Sequence, residues 1–197
     1  ILNSVQPSDF NDRILRLFPD RLVVVDSIRH SEPCKMVQAD NFAGGCMAAE
    51  FLVQQGFRRI GIIGSTQGYL SYQPFQERLQ GYRQTLAKYA LPEFTFNYNG
   101  QNISVDLPVY LQSHLSELLQ CDALFCINDI SASIVVVFFQ MKGIAIPEDI
   151  SLISYDGISL SRFTSPALTC IRQPMEKIAE QLIDMILDID LGVHRIG

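Results

Sequence analysis

The stretch ALFCINDISASIVVVFFQMKGIAIPEDISLISYD, residues 123–156, decides the fold. Its first piece, Ala123 to Asp129, is an apolar run of strand length that stops at the polar pair Asn128 and Asp129. Ile130 to Lys142 is apolar over helical length and ends at Gly143, a residue that takes the left-handed turn closing a helix at no steric cost. A short loop through Pro147 leads to a second apolar run, which begins at Ile150 and stops at Asp156 and Gly157. Strand, helix and strand in this order make a βαβ unit with parallel strands. Both strands then finish at one edge of the sheet, each in polar side chains, and ligands of open α/β sheets sit beyond that edge.

The same alternation extends in both directions. Upstream, the spacing predicts a helix over Asp9–Phe18, a strand over Leu22–Val25 ending at Asp26, and a short strand from Met36 to Asp40 and Asn41. A helix then runs to about Gln55 and closes at Gly56; its small residues Gly44, Gly45, Ala48 and Ala49 predict a close neighbour. A strand over Arg59–Gly64, a helix from Pro74 to Tyr89 and a strand over Thr95–Tyr98 follow. Asp106 is expected to cap a further helix, with Pro108 in its first turn, running to Leu119. Downstream, Leu168–Ile171 reads as a strand, and Met175–Asp188 as a helix with Ile178, Leu182, Met185 and Ile189 on its apolar face. Alternating strands and helices imply an α/β fold of parallel sheets flanked by helices. One complete layer spans about Asp40 to Arg172, with shorter pieces on either side.

Composition narrows the function. The 197 residues are 48% hydrophobic and 18% charged, ordinary values for a globular chain. A net charge of −6 weighs against gripping nucleic acid with this surface, because phosphate binding needs clustered Lys and Arg. No apolar run is long enough to span a membrane as a helix, and no basic-then-apolar leader opens these residues. Cys34, Cys46, Cys121, Cys126 and Cys170 are odd in number and scattered, which fits reduced core thiols; no Cys-x-x-Cys or neighbouring His suggests a metal. Catalytic templates fail as well. Gly64 to Gly68 has the glycine spacing of a nucleophile elbow but Thr66 at its centre. There is no phosphate loop and no zinc-protease motif, and His30, His114 and His194 are far apart in sequence. Neither catalysis, a metal nor a cofactor is expected.

What remains is a set of hydrogen-bonding groups. Strands end at Asp26, at Asp40 and Asn41, at Ser65, at Asn128 and Asp129, and at Asp156, and Arg78 lies about one turn into a helix that follows the Ser65 strand. Such a set suits a polyhydroxylated ligand, and the guanidinium would suit an anionic group. Phe42, Tyr69, Tyr72 and Tyr98 offer flat apolar faces to a sugar ring. A carboxylate at a strand end also serves as a cap. For Asp156 capping and ligand contact are equally good readings; for Asp40 and Asp129 capping is the better one. An arginine is most often solvated, and an aromatic is more often core than platform.

Several segments together resemble the LacI/GalR family of bacterial transcriptional regulators: VQADNFAGG (37–45), GFRRIGIIG (56–64), RLQGY (78–82), IND (127–129), IPEDISLISYD (146–156) and IRQP (171–174). Their order and spacing resemble the family too, over nearly the whole chain. The resemblance implies a periplasmic-binding-protein-like fold of type I, in which two α/β subdomains joined by three crossovers hold a small ligand between them. Residues 40–173 would be the complete C-terminal subdomain, and 1–39 with 174–197 part of the N-terminal one; the family's DNA-binding helix-turn-helix would lie outside these residues. By matching motifs, the resemblance makes Arg78, Asn128, Asp156 and Gln173 effector contacts, with Asp26 facing them from the opposite wall. Asn3 and Ser4, at the end of a strand, and the aromatics Phe42 and Tyr69 are further candidates. The family's Tyr/Phe-Asp-Asp stands here as Tyr155, Asp156 and Gly157, so only the first Asp carries over.

The function so implied is a switch. A sugar or sugar phosphate would change operator affinity in a cytoplasmic homodimer that contacts DNA through its helix-turn-helix and touches no membrane. The alternative is a periplasmic sugar-binding protein of a transport system, against which the IRQP and IPEDIS segments weigh. Arg78→Ala is expected to abolish effector binding and to leave the fold intact.

Overall fold

The computed structural model describes residues 13, 14, 16–18, 22–25, 35–66 and 72–190. Two compact units emerge: Asn41–Leu70 with Phe75–Gln173, and Ile1–Asp40 with Ser71–Pro74 and Pro174–Gly197.

In the larger unit the short apolar runs become the strands β3 (Ile60–Ser65), β4 (Phe94–Tyr98), β5 (Ala123–Cys126), β6 (Ser151–Asp156) and β7 (Thr169–Arg172). They form one sheet in the order β4-β3-β5-β6-β7, every pair parallel. Strands with helices on both faces must be apolar on both faces, and β5 is buried at all four positions. Its side chains alternate between two cores. Ala123, Phe125 and Ile127 join Ile60, Ile62, Ile153 and Tyr155 against α1 (Asn41–Gln54) and α2 (Gln73–Lys88). Leu124 and Cys126 join Ile63, Phe96 and Leu152 on the other side, against α3 (Ile103–Ser113) and α5 (Asp129–Met141). The short helix α4 (Leu115–Leu118) follows α3, and a single 3-10 turn, Ser159–Arg162, follows β6. Helix closure falls where glycine predicts it: Gly56 and Gly143 take φ of 97° and 71°.

The smaller unit has two parallel strands, β1 (Val23–Val25) and β2 (Lys35–Val37), in register Val23 to Lys35. Helix α6 (Met175–Asp190) packs Ile178, Leu182, Met185 and Ile186 against Val23, Val37 and Ala39. Of the helix expected over Asp9–Phe18, residues 13, 14, 16 and 17 are helical. The expected features at Cys34, His30, His194 and the Ile189 side chain lie outside the described residues.

One helix departs from expectation. Asn102, not Asp106, is the N-cap of α3: its side-chain oxygen accepts the Ser104 N–H at 3.2 Å. Asp106 lies inside the first turn and reaches back to accept the Asn102 N–H at 2.8 Å, so two exposed amides are satisfied reciprocally. The helix also stops at Ser113 and restarts after His114 instead of running on to Leu119.

The thiols behave as core groups. Cys121 and Cys126 are buried, and desolvation pushes the Cys121 thiol up to about 12 and that of Cys126 further still. Cys46 and Cys170 are half-buried and unpaired with sulfur.

The small residues of α1 have their close neighbour. A Cβ on Gly45 would stand 2.1 Å from the Arg78 carbonyl oxygen, and one on Gly81 would stand 2.1 Å from that of Phe42. Helices α1 and α2 therefore cross backbone to backbone. Backbone cannot give way as a flexible side chain can, so Gly45→Ala is expected to cost about 1–3 kcal/mol, the range for overpacking. Urea unfolding measures this; a loss under about 0.5 kcal/mol, the range for an ordinary surface change, would show that the crossing tolerates a methyl group.

Candidate functional site

The carboxyl edge of the five-stranded sheet carries Ser65, Asn128 and Asp156 at or just past its strand ends, and the parallel register explains why. Asp156 lies opposite Arg172 at the ends of β6 and β7. The chain leaves β6 through Asp156 at φ 116° and Gly157 at φ 73°. A non-glycine residue at such a φ is strained, by about 1–3 kcal/mol, and persists only where its surroundings hold it.

Arg78 is the hub of this edge. It enters from the first turns of α2 and is 1% exposed, so its charge must be answered inside the protein. Nε donates to Asn41 Oδ1 at 2.9 Å, at the start of α1. One terminal nitrogen donates to the Ile127 carbonyl at 2.8 Å, just past β5. The other lies 3.3 Å from Asp156 Oδ1. The Tyr155 ring lies beneath the guanidinium, 3.7 Å from carbon to centroid, and the Phe75 ring stands at 5.4 Å. Gln173 completes the group: its side-chain amide donates to Asp156 Oδ1 at 2.8 Å and its backbone N–H to the Asp156 carbonyl at 3.0 Å.

Three of the expected residues, Arg78, Asp156 and Gln173, thus form one connected set. Asn128 sits beside them in sequence terms, one residue beyond the carbonyl that Arg78 uses, and its own side chain caps α5 by accepting the Ser131 N–H at 2.8 Å. Phe42 occupies the second position of α1 and is half-buried. Ser65 ends β3 and is bonded to the Tyr98 hydroxyl, whose pKa burial pushes up. Asp26, Asn3, Ser4 and Tyr69 lie outside the described residues.

Two members play parts that the sequence reading did not assign. Asn41 entered it as one of the polar strand ends, with no partner named, and it is fully buried against Arg78. Tyr155 entered only as part of a strand, yet its ring supports the guanidinium. The available signal was the double glycine of α1: Gly44 is where a Cβ would meet the Tyr155 ring at 2.3 Å.

A guanidinium carries five N–H donors, so two remain once these three partners are counted. The Asp156 side chain keeps 23% of its surface and the Arg78 side chain 2%, so the carboxylate is the outer member of the pair. Together they present an acceptor backed by a positive charge, an arrangement matched to hydroxyl groups.

Comparison with known proteins agrees with this architecture. The family model described as a periplasmic binding protein-like domain matches residues 49–191. The chain belongs to that family, and within it to the LacI/GalR effector-binding domains. It is 32% identical over 193 residues to the HTH-type transcriptional repressor PurR of Klebsiella pneumoniae, covering 93% of this chain and 55% of the relative. It is 34% identical over 151 residues to the ribose operon repressor of Haemophilus influenzae, covering 73% of this chain and 43% of the relative. Among solved structures, a LacI family transcriptional regulator from Enterococcus faecium with bound ribose superposes with a TM-score of 0.77 at 22% identity, covering 97% of this chain and 69% of the other. The chain spans about half the length of the relatives it matches.

The geometry revises one expectation. Arg78 is not a solvated helix residue: it is buried and bonded to Asn41, the Ile127 carbonyl and Asp156, so its loss is expected to destabilise the fold. Breaking a buried pair from one side costs about 3–5 kcal/mol, and Arg78→Ala is expected to lose that much stability in urea unfolding. Arg78→Lys keeps the charge without the planar fork and should lose less. A near-neutral Arg78→Ala would mean that the three partners find other donors.

Proposed function

We propose that this chain is the effector-sensing core of a LacI/GalR-type regulator, binding a small sugar-like ligand at the carboxyl edge of the five-stranded sheet. The observation that carries this reading is the buried Arg78 held against Asp156 and Gln173. Asp156 and Gln173 would receive and donate to ligand hydroxyls, with Arg78 and Asn128 behind them. Asp26, Asn3, Ser4, Phe42 and Tyr69 are proposed as further contacts on the strength of the family resemblance. The regulator reading is favoured over transport because the relatives are described as repressors. The chain would work as a switch in the cytoplasm, without catalysis. Operator DNA would be met by a helix-turn-helix outside these residues, consistent with the net charge of −6 here. A ligand moves such a switch only by its differential affinity for two states of the protein.

Thermal denaturation against pentoses, hexoses, sugar phosphates and nucleosides, starting with D-ribose, tests the reading. A binder of the folded state must raise the melting temperature at concentrations well above its dissociation constant. Asp156→Ala is expected to remove the shift given by the best compound. An unchanged shift in that variant would take Asp156 out of the site.

The regulator is further proposed to be a homodimer through the α3/α5 face. Helix-turn-helix repressors read two half-sites as two-fold dimers, and such symmetry demands a self-complementary patch. Helices α3 and α5 form a groove of about 650 Å³ between Pro108, Val109, Ile134, Val137 and Met141. Val109, Val137 and Met141 are exposed, a contiguous apolar surface of the kind that marks an interaction site. The partner on this face is a second copy of this chain. Sedimentation is expected to give a dimer for the native chain and a monomer for Val137→Asp, with unchanged circular dichroism; a native monomer at tens of micromolar would reject the interface.

A further inference from the structure

Among the described residues two charged side chains are fully buried, Arg78 and Asp129. Arg78 has its carboxylate partner. Asp129 is 0% exposed, and no described ion pair includes it. Asn128 already caps α5, so the Asp129 carboxylate is free for other work. One oxygen accepts the Ser154 hydroxyl at 2.5 Å, and the other accepts the Ile158 backbone N–H at 2.7 Å. The start of α5 adds the favourable end of a helix dipole.

The placement of these two donors is informative. Ser154 lies two residues before Asp156 and Ile158 two residues after it. A single buried carboxylate therefore grips the chain on both sides of the residue held at φ 116°. Asp156 in turn is the residue that Arg78 and Gln173 converge on. We infer that Asp129 is a positioning residue for the ligand site: it fixes the turn from β6 so that the Asp156 carboxylate meets Arg78 and Gln173. This rests on the reading of Asp156 as a ligand contact. Asp129 itself touches no ligand; it acts through residues 154–158. Charge-assisted bonds to a carboxylate are short and directional, which suits the task of holding a strained turn.

The test needs no ligand in its first arm. Nuclear magnetic resonance of the labelled chain follows amide exchange at Ile158, the Arg78 Nε–H signal and the Gln173 side-chain amide signals. Ser154→Ala removes one hydroxyl and leaves the Asn128 cap intact, so it is the variant most certain to fold; Asp129→Ala and Asp129→Asn complete the series. In Ser154→Ala and Asp129→Ala, exchange at Ile158 is expected to rise about tenfold or more, and the Arg78 and Gln173 signals to shift. Asp129→Asn should restore both, because its amide oxygen accepts from Ile158 while its NH₂ donates to Ser154. Unchanged Arg78 and Gln173 signals would overturn the inference even if α5 amides exchanged faster, since faster exchange there is all that a capping role predicts. The second arm measures D-ribose affinity by calorimetry. Ser154→Ala is expected to weaken it about fivefold, the worth of one net hydrogen bond. Loss of affinity in Asp156→Ala with none in Ser154→Ala rejects the positioning role alone. Full affinity in Asp156→Ala rejects the ligand reading of Asp156 instead.

Discussion

A positive charge buried at the carboxyl edge of the sheet organises this molecule. An ionised side chain taken out of water must be paired and hydrogen-bonded. Arg78 is answered by Asn41 on α1, by the carbonyl that follows β5, and by Asp156 at the end of β6. These partners come from segments 37, 49 and 78 positions away in the chain, the first two separations being those of the hydrogen bonds and the third the difference between 78 and 156. For all three to reach one guanidinium, α2 must lie close on α1, which is why glycine stands at positions 45 and 81. Four sequence segments that look unrelated along the chain, around Asn41–Gly45, Arg78–Tyr82, Ile127–Asp129 and Tyr155–Asp156, are thus parts of one constraint.

That constraint also separates what the residues reveal in isolation from what they do not. The order of elements follows from apolar run length and glycine punctuation, which are local properties; β5, α5 and β6 fall within a residue or two of their expected bounds. The start of α3 departs from expectation because two residues able to cap, Asn102 and Asp106, stand four positions apart and local pattern does not rank them. The break at His114 coincides with contacts four residues apart: the ring stacks on Tyr110 at 4.0 Å and its Nδ1 lies 3.0 Å from the Tyr110 carbonyl. Sequence pattern marks Arg78 as a candidate but not as buried, since burial depends on partners brought from elsewhere in the chain. The family resemblance supplied Gln173, which composition and spacing would never have singled out.

The pair Asn128 and Asp129 shows the same limit at finer scale. Both are strand-end polar residues, and either could cap α5. The structure divides the labour. The carboxamide takes the Ser131 amide, and the carboxylate turns inward to Ser154 and Ile158. A local reading cannot make this division because Ser154 and Ile158 are 25 and 29 residues further on.

The position of Asp156 raises a final question of economy. Glycine occupies φ near 116° without strain, and Gly157 follows immediately at φ 73°, so the turn itself has no need of a side chain at 156. Keeping an aspartate there costs about 1–3 kcal/mol of backbone strain. Gln173 alone offsets part of this through two hydrogen bonds, one to the carboxylate and one to the carbonyl. The Arg78 pair adds to it, but the argument also runs the other way: without a carboxylate at 156, the buried guanidinium would lose its counter-charge. The strained aspartate and the buried arginine each help to hold the other in place. Such mutual dependence favours a site whose geometry is set before any ligand arrives, which is what recognition of a small molecule with a few hydroxyl groups requires.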